Sequence, residues 1–184
     1  MKKAFVTIVT LSRIPLAFLF GFFCIELEQP LWPCLIVFLL VSLTDWLDGK
    51  LARTLHAASA LGAWLDVSCD LFFIIVSCLS LWLTGRMPMI LPIVIIIKFT
   101  EFLVTSHWSR QIGERQNTFF FDPFGRLSAA LLYGLPILTL LVSSIVPKAR
   151  IGLFAMTILF CILSSAIRIV HCLRMEHKQK NPAL

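Results

Sequence analysis

Polar residues in this chain are confined to short breaks between long apolar runs, and each run is close to one membrane thickness. The runs predict helices over residues 4–27, 31–53, 59–83, 88–108, 125–145 and 150–173, since a bilayer crossing takes about 20 mostly apolar residues. Little chain remains outside them. The pattern therefore predicts an all-α integral membrane protein of six transmembrane helices, a single membrane domain over residues 1–184. Arg13 breaks the first run, and residues 1–12 fit equally an interfacial segment that turns inward at Ile14. Lys2 and Lys3 ahead of an apolar stretch also suit a signal peptide. No small-residue cleavage site stands near Cys24–Glu28, so the segment is expected in the mature protein.

Composition agrees. Hydrophobic residues make up 59% of the chain and mean hydropathy is +0.92, too apolar for a soluble domain. Six crossings put both termini on one side. That side collects Lys2, Lys3, Arg13, Lys50, Arg53, Arg110, Arg115, Arg126, Arg168, Arg174, Lys178 and Lys180. Arg86, Lys148 and Arg150 stand opposite, with Lys98 left mid-span. Basic residues favour cytoplasmic loops, so both termini are expected at the cytoplasmic face of the cell membrane. The net charge of +6 fits that bias, with some attraction to anionic headgroups, and does not point to nucleic acid. The cysteines at 24, 34, 69, 78, 161 and 172 show no C-x-x-C or Cys/His ligand spacing. They are expected as small buried apolar residues rather than disulfides or zinc ligands. Residues 178–184 read as a frayed polar tail.

Candidate chemistry is concentrated in one stretch. Asp45 and Asp48, three apart, end the second span, and Asp66 and Asp70, four apart, begin the third. Residues at those spacings share a helix face, so each helix projects a carboxylate pair. A turn near residues 54–58 would bring the pairs together across a helix–helix groove at the cytoplasmic end. A carboxylate at membrane depth costs roughly 2.5–3.5 kcal/mol on insertion scales. Four converging carboxylates suit one or two hard cations such as Mg²⁺ or Mn²⁺, and paired metals hold phosphoryl groups. Gly49 and Gly62 would allow close approach of a backbone or ligand. Arg53, four residues beyond Gly49, could clamp a phosphate oxygen, and Ser59 could cap a helix or donate to a ligand.

Two blander readings compete. Asp45 and Asp48 could be interfacial residues at a helix end, paired with Lys50 and Arg53. A cation or proton transporter would also use intramembrane carboxylates, but would place them near mid-bilayer on several helices. The clustering at one face favours an enzyme.

The residues Asp45, Asp48, Gly49, Ala52, Arg53, Gly62, Asp66 and Asp70 follow the pattern Asp-x2-Asp-Gly-x2-Ala-Arg-x8-Gly-x3-Asp-x3-Asp. This resembles the signature of the CDP-alcohol phosphatidyltransferase family. The resemblance implies transfer of the phosphatidyl group of CDP-diacylglycerol to a small alcohol with release of CMP. It implies two Mg²⁺ or Mn²⁺ ions on Asp45, Asp48, Asp66 and Asp70, with Asp70 also the general base. Gly49, Arg53, Ser59 and Gly62 would serve the cytidine diphosphate part. A non-catalytic relative that binds a nucleotide lipid is a further alternative. Family members are often homodimers, and neither a heptad nor a small-residue stripe settles that point here.

For the acceptor, Thr7 to Pro15 and the Trp46-Leu47 pair resemble bacterial phosphatidylglycerophosphate synthases, which use glycerol 3-phosphate. The run from Asp66 to Leu71 lacks their Asp-Pro-x-x-Asp-Lys ending, and Thr100-Glu101 stands where they carry Arg-Glu. The form Asp-x-x-Cys-Asp is closer to relatives that use an inositol phosphate. An acceptor carrying its own phosphate needs cations, for which Lys98, Arg110, Arg115 and Arg126 are candidates. Arg110 and Arg115 read equally as a positive-inside loop, and Arg126 as a snorkelling residue at a helix start. Lys98 is expected to pair with Glu101. His107, His171 and His177 read as interfacial, and Trp108 with Phe119-Phe120-Phe121 as an aromatic anchor.

Overall fold

The computed structural model describes residues 2–54, 60–111 and 123–180. These form seven α-helices: α1 (Lys2–Leu11), α2 (Arg13–Glu26), α3 (Leu31–Thr54), α4 (Ala60–Leu83), α5 (Ile90–Gln111), α6 (Pro123–Ile145) and α7 (Arg150–Lys180). A single 3-10 turn, Pro147–Ala149, joins the last two. Six helical stretches are long and apolar enough to cross a membrane, the first being Thr7–Glu26 across α1 and α2. Large apolar side chains such as Trp32, Leu61, Ile97, Ile151 and Leu159 remain exposed around the bundle, as a lipid-facing surface requires. The chain is a multi-pass, all-helical membrane protein.

Three expectations need correction. The first span is two helices, with a break at Ser12. Pro15 has no N–H to give the Leu11 carbonyl and its ring crowds that carbonyl, while the Ser12 hydroxyl bonds back to Val9 O at 2.7 Å. Residues 2–11 thus form a helix of their own, as in the alternative with a separate first segment, and α1 packs against α3 and α4. At the other end the helix runs on to Lys180, so residues 178–180 are helical rather than frayed. Finally, the two carboxylate-bearing helices do not simply face one another. Both α1 and α2 pack against α3 and against α4, and thereby bridge them.

The crossing of α2 and α4 is close because Gly21 has no side chain. A Cβ there would fall 2.8 Å from Ser80 Oγ. Below the polar end, Phe20, Phe73, Phe38 and Tyr133 stack at centroid separations of 5.5 to 6.4 Å. The six cysteines are all buried. Gly85, at φ +67, ends α4 in a left-handed turn that Arg86 N closes onto Leu81 O at 2.8 Å. That turn and Arg150 lie at the far end of the bundle, where Arg86 Nη1 donates to Cys24 O at 3.0 Å.

Candidate active site

Asp45 and Asp48 come from the last turns of α3, and Asp66 and Asp70 from the first half of α4, so helix polarity alone brings them to the same end. Side-chain oxygens of Asp45, Asp48 and Asp66 lie within 4.8 Å of one another. Asp70 is outside that group of three and joins it through Arg13. The Arg13 Nη2 group lies 3.0 Å from Asp45 Oδ1 and 2.5 Å from Asp48 Oδ2. Its Nη1 group lies 2.7 Å from both Asp66 Oδ1 and Asp70 Oδ1. Arg13, which interrupts the first apolar run, is therefore turned into the acidic cluster. Its side chain is 0% exposed.

The carboxylates are not equivalent. Asp48 is 5% exposed and also accepts a hydrogen bond from Thr10 Oγ1 at 3.0 Å. Asp45 and Asp66 are 46% and 40% exposed. Of the competing reading, in which Lys50 and Arg53 neutralise Asp45 and Asp48, only the Lys50 side chain is described: it forms no ion pair with either, and its ammonium sits 4.8 Å over the Trp46 ring.

Asp45, Asp66 and Asp70 line one end of a cavity of about 360 Å³. Lys98, Glu101, Ser128, Tyr133 and Arg168 line it as well. Lys98 Nζ reaches Glu101 Oε2 at 3.0 Å and donates to Ser165 Oγ at 2.9 Å, so the expected pair forms and faces the site. Arg168 is 3% exposed. Its Nε donates to Thr105 Oγ1 at 2.6 Å and its Nη2 to Ser106 Oγ at 3.3 Å, with the Phe102 ring 5.0 Å away. Arg168 is thus turned into the bundle at the end where the aspartates lie.

The other candidates fall as follows. Arg126 is exposed on the first turn of α6 and does not line the cavity. Gly49 is half-buried with open space where a Cβ would stand, and Gly62 is exposed near the start of α4. Ser59, Arg115 and residues 119–121 lie outside the described residues, as do the side chains of Arg53, Arg110 and His177. Reasoning from sequence missed Arg13 and Arg168 as site residues. A signal existed for the first: Arg13 interrupts an apolar run, and an ionisable residue inside a span points to a functional site.

An acidic centre at one end of the bundle, opening onto a cavity also lined by Lys98 and Arg168, defines a multi-pass membrane protein with a polar site. The chain belongs to the CDP-alcohol phosphatidyltransferase family, whose model matches residues 5–175. Three relatives carry the name CDP-diacylglycerol--glycerol-3-phosphate 3-phosphatidyltransferase. The protein of Wigglesworthia glossinidia brevipalpis is 33% identical over 88 residues, 43% of this chain and 44% of the relative. That of Haemophilus influenzae is 28% identical over 120 residues, 60% of each chain. That of Pectobacterium atrosepticum is 31% identical over 121 residues, 60% of this chain and 63% of the relative. The chain thus spans from 44% to 63% of the length of these relatives.

Proposed function

We propose that this protein transfers the phosphatidyl group of CDP-diacylglycerol to a small phosphorylated alcohol, glycerol 3-phosphate before inositol phosphate, and releases CMP. The observation that carries this reading is the shared cavity. Carboxylates from two helices reach it, and it is lined as well by two cations, the buried Arg168 and the half-buried Lys98. The donor set fits a hard divalent cation: three carboxylate oxygens lie within 4.8 Å of one another, and they already enclose a positive group. Asp45, Asp48, Asp66 and Asp70 would hold two Mg²⁺ or Mn²⁺ ions, which would bind the pyrophosphate and offset the charge left on CMP.

The remaining chemistry belongs to the chain. Asp70, on the cavity wall, takes the proton of the acceptor hydroxyl as that oxygen bonds to the lipid-side phosphorus. The bond from that phosphorus to the bridging oxygen breaks, and its electron pair leaves with CMP. Lys98 and Arg168 are suited to the acceptor phosphate, and Glu101 Oε1 is buried without a hydrogen-bond partner, an acceptor for an alcohol hydroxyl. Gly49, Arg53, Ser59 and Gly62 are assigned to the nucleotide by family resemblance. The single-domain organisation over 1–184 and a cytoplasmic position for the site and both termini belong to the same proposal. Its support is the charge bias and the fact that Arg86, Lys148 and Arg150 share one cleft at the opposite end. A transporter would have its carboxylates spread through the bilayer, and these are gathered at one end.

The test is CMP release from CDP-diacylglycerol by the detergent-solubilised protein with Mg²⁺ or Mn²⁺ and each candidate alcohol in turn. Glycerol 3-phosphate is expected to give the highest rate. Release with no alcohol tried would remove the enzymatic reading.

A further inference from the structure

Arg13 places its charge in the space that the proposed function gives to a divalent ion. Both of its terminal nitrogens are used twice, on four carboxylates from two helices. Among the described residues, no other Lys or Arg forms an ion pair with these four aspartates. Each carboxylate oxygen turned toward the guanidinium is withheld from a metal, and two positive groups sharing the same oxygens repel. Without Arg13 the cluster would hold four buried or half-buried negative charges with nothing between them, which the fold tolerates poorly.

We propose that Arg13 is an internal counter-ion, a positioning residue that keeps the acidic cluster closed before metal binds. It gives up the oxygens of Asp45, Asp48 and Asp66 as the ion enters, so guanidinium and divalent cation bind antagonistically. The site is thereby kept assembled in either state, and loading becomes an exchange of one cation for another. This rests on the reading that the cluster takes a divalent ion, and the experiment separates the two.

Mn²⁺ binding is measured by electron paramagnetic resonance on the full-length protein, its R13Q variant and its R13K variant. Removing a unit charge some 4–6 Å from an ionic site changes affinity by about ten-fold or more. R13Q is therefore expected to bind Mn²⁺ about ten-fold or more tightly than the wild type, with R13K in between. Equal or weaker binding by R13Q overturns the proposal while leaving the metal site standing. Absence of binding in all three proteins overturns both. If R13Q does not fold, the wild type decides. With ¹⁵N-labelled arginine, the side-chain signal that R13K lacks should lose its hydrogen-bonded, slowly exchanging character at saturating Mg²⁺. A signal unchanged by Mg²⁺ would refute the exchange.

Discussion

Thr10 Oγ1 donates to Asp48 Oδ2 across 3.0 Å, joining residues 38 apart in the chain. The bond explains why Asp48, alone of the four aspartates, is withdrawn from solvent: it is held from one side by Thr10 and from the other by Arg13. Thr10→Val keeps the shape and removes the donor. A buried hydrogen bond to a charged acceptor contributes about 1.5–3 kcal/mol. The variant should show a lower midpoint of thermal unfolding in detergent, and Thr10→Ser should stay near the wild type. Equal midpoints for Val and Ser would remove Thr10 from the support of Asp48.

Asp70 and Asp45 should fail in different ways. Asp70→Asn is expected to cut turnover by about 10²–10⁴-fold, the usual worth of a positioned base, with CDP affinity in the presence of Mg²⁺ mostly intact. Asp45→Ala should instead abolish the Mg²⁺-dependent part of CDP binding, as chelation by EDTA should in the wild type. Titration calorimetry with and without metal reads both. Full activity in Asp70→Asn would reassign the base.

Arg168, tied to Thr105 and Ser106, lines the cavity together with Lys98. Replacing either by Met should raise the acceptor KM by about ten- to a hundred-fold, the equivalent of one lost charge-assisted hydrogen bond. The KM for CDP-diacylglycerol should hardly move. Arg126→Ala, outside the cavity, should leave both constants near wild type. A rise in acceptor KM for Arg126→Ala alone would return that role to the first turn of α6.

Gly21 and Ser80 test the packing that carries the site. Gly21→Val forces a branched side chain against Ser80 Oγ, whose hydroxyl is bound to Val76 O at 2.8 Å. Overpacking of this kind costs about 1–3 kcal/mol. Adding Ser80→Ala removes the nearest obstacle and should recover part of the loss in thermal unfolding. No recovery would place the strain elsewhere along the α2–α4 crossing.

The acidic pairs were legible before any coordinates because helix period is a local property. Asp45 with Asp48, and Asp66 with Asp70, fall on shared faces wherever the helices pack. Lys98 with Glu101 was legible for the same reason. Arg13 and Arg168 were not. A lone arginine near the end of an apolar run looks the same whether it reaches for headgroups or turns inward, and the choice depends on partners 32 (Asp45 from Arg13) to 63 residues away. Of the cations proposed for an acceptor phosphate, Arg126 does not line the cavity, whereas Lys98 and Arg168, both from helix interiors, do.

By itself the sequence determined six membrane-length helices, the end at which the carboxylates gather, and the family pattern that joins them. These follow from hydropathy and from the 3.6-residue turn, which need no knowledge of neighbours. Only the tertiary structure decided that the first helix bridges the third and fourth, that Arg13 closes the acidic cluster, and that Lys98 and Arg168 share a cavity with it. Those relationships are set by which helices touch and in what register, and side-chain packing between distant segments fixes both.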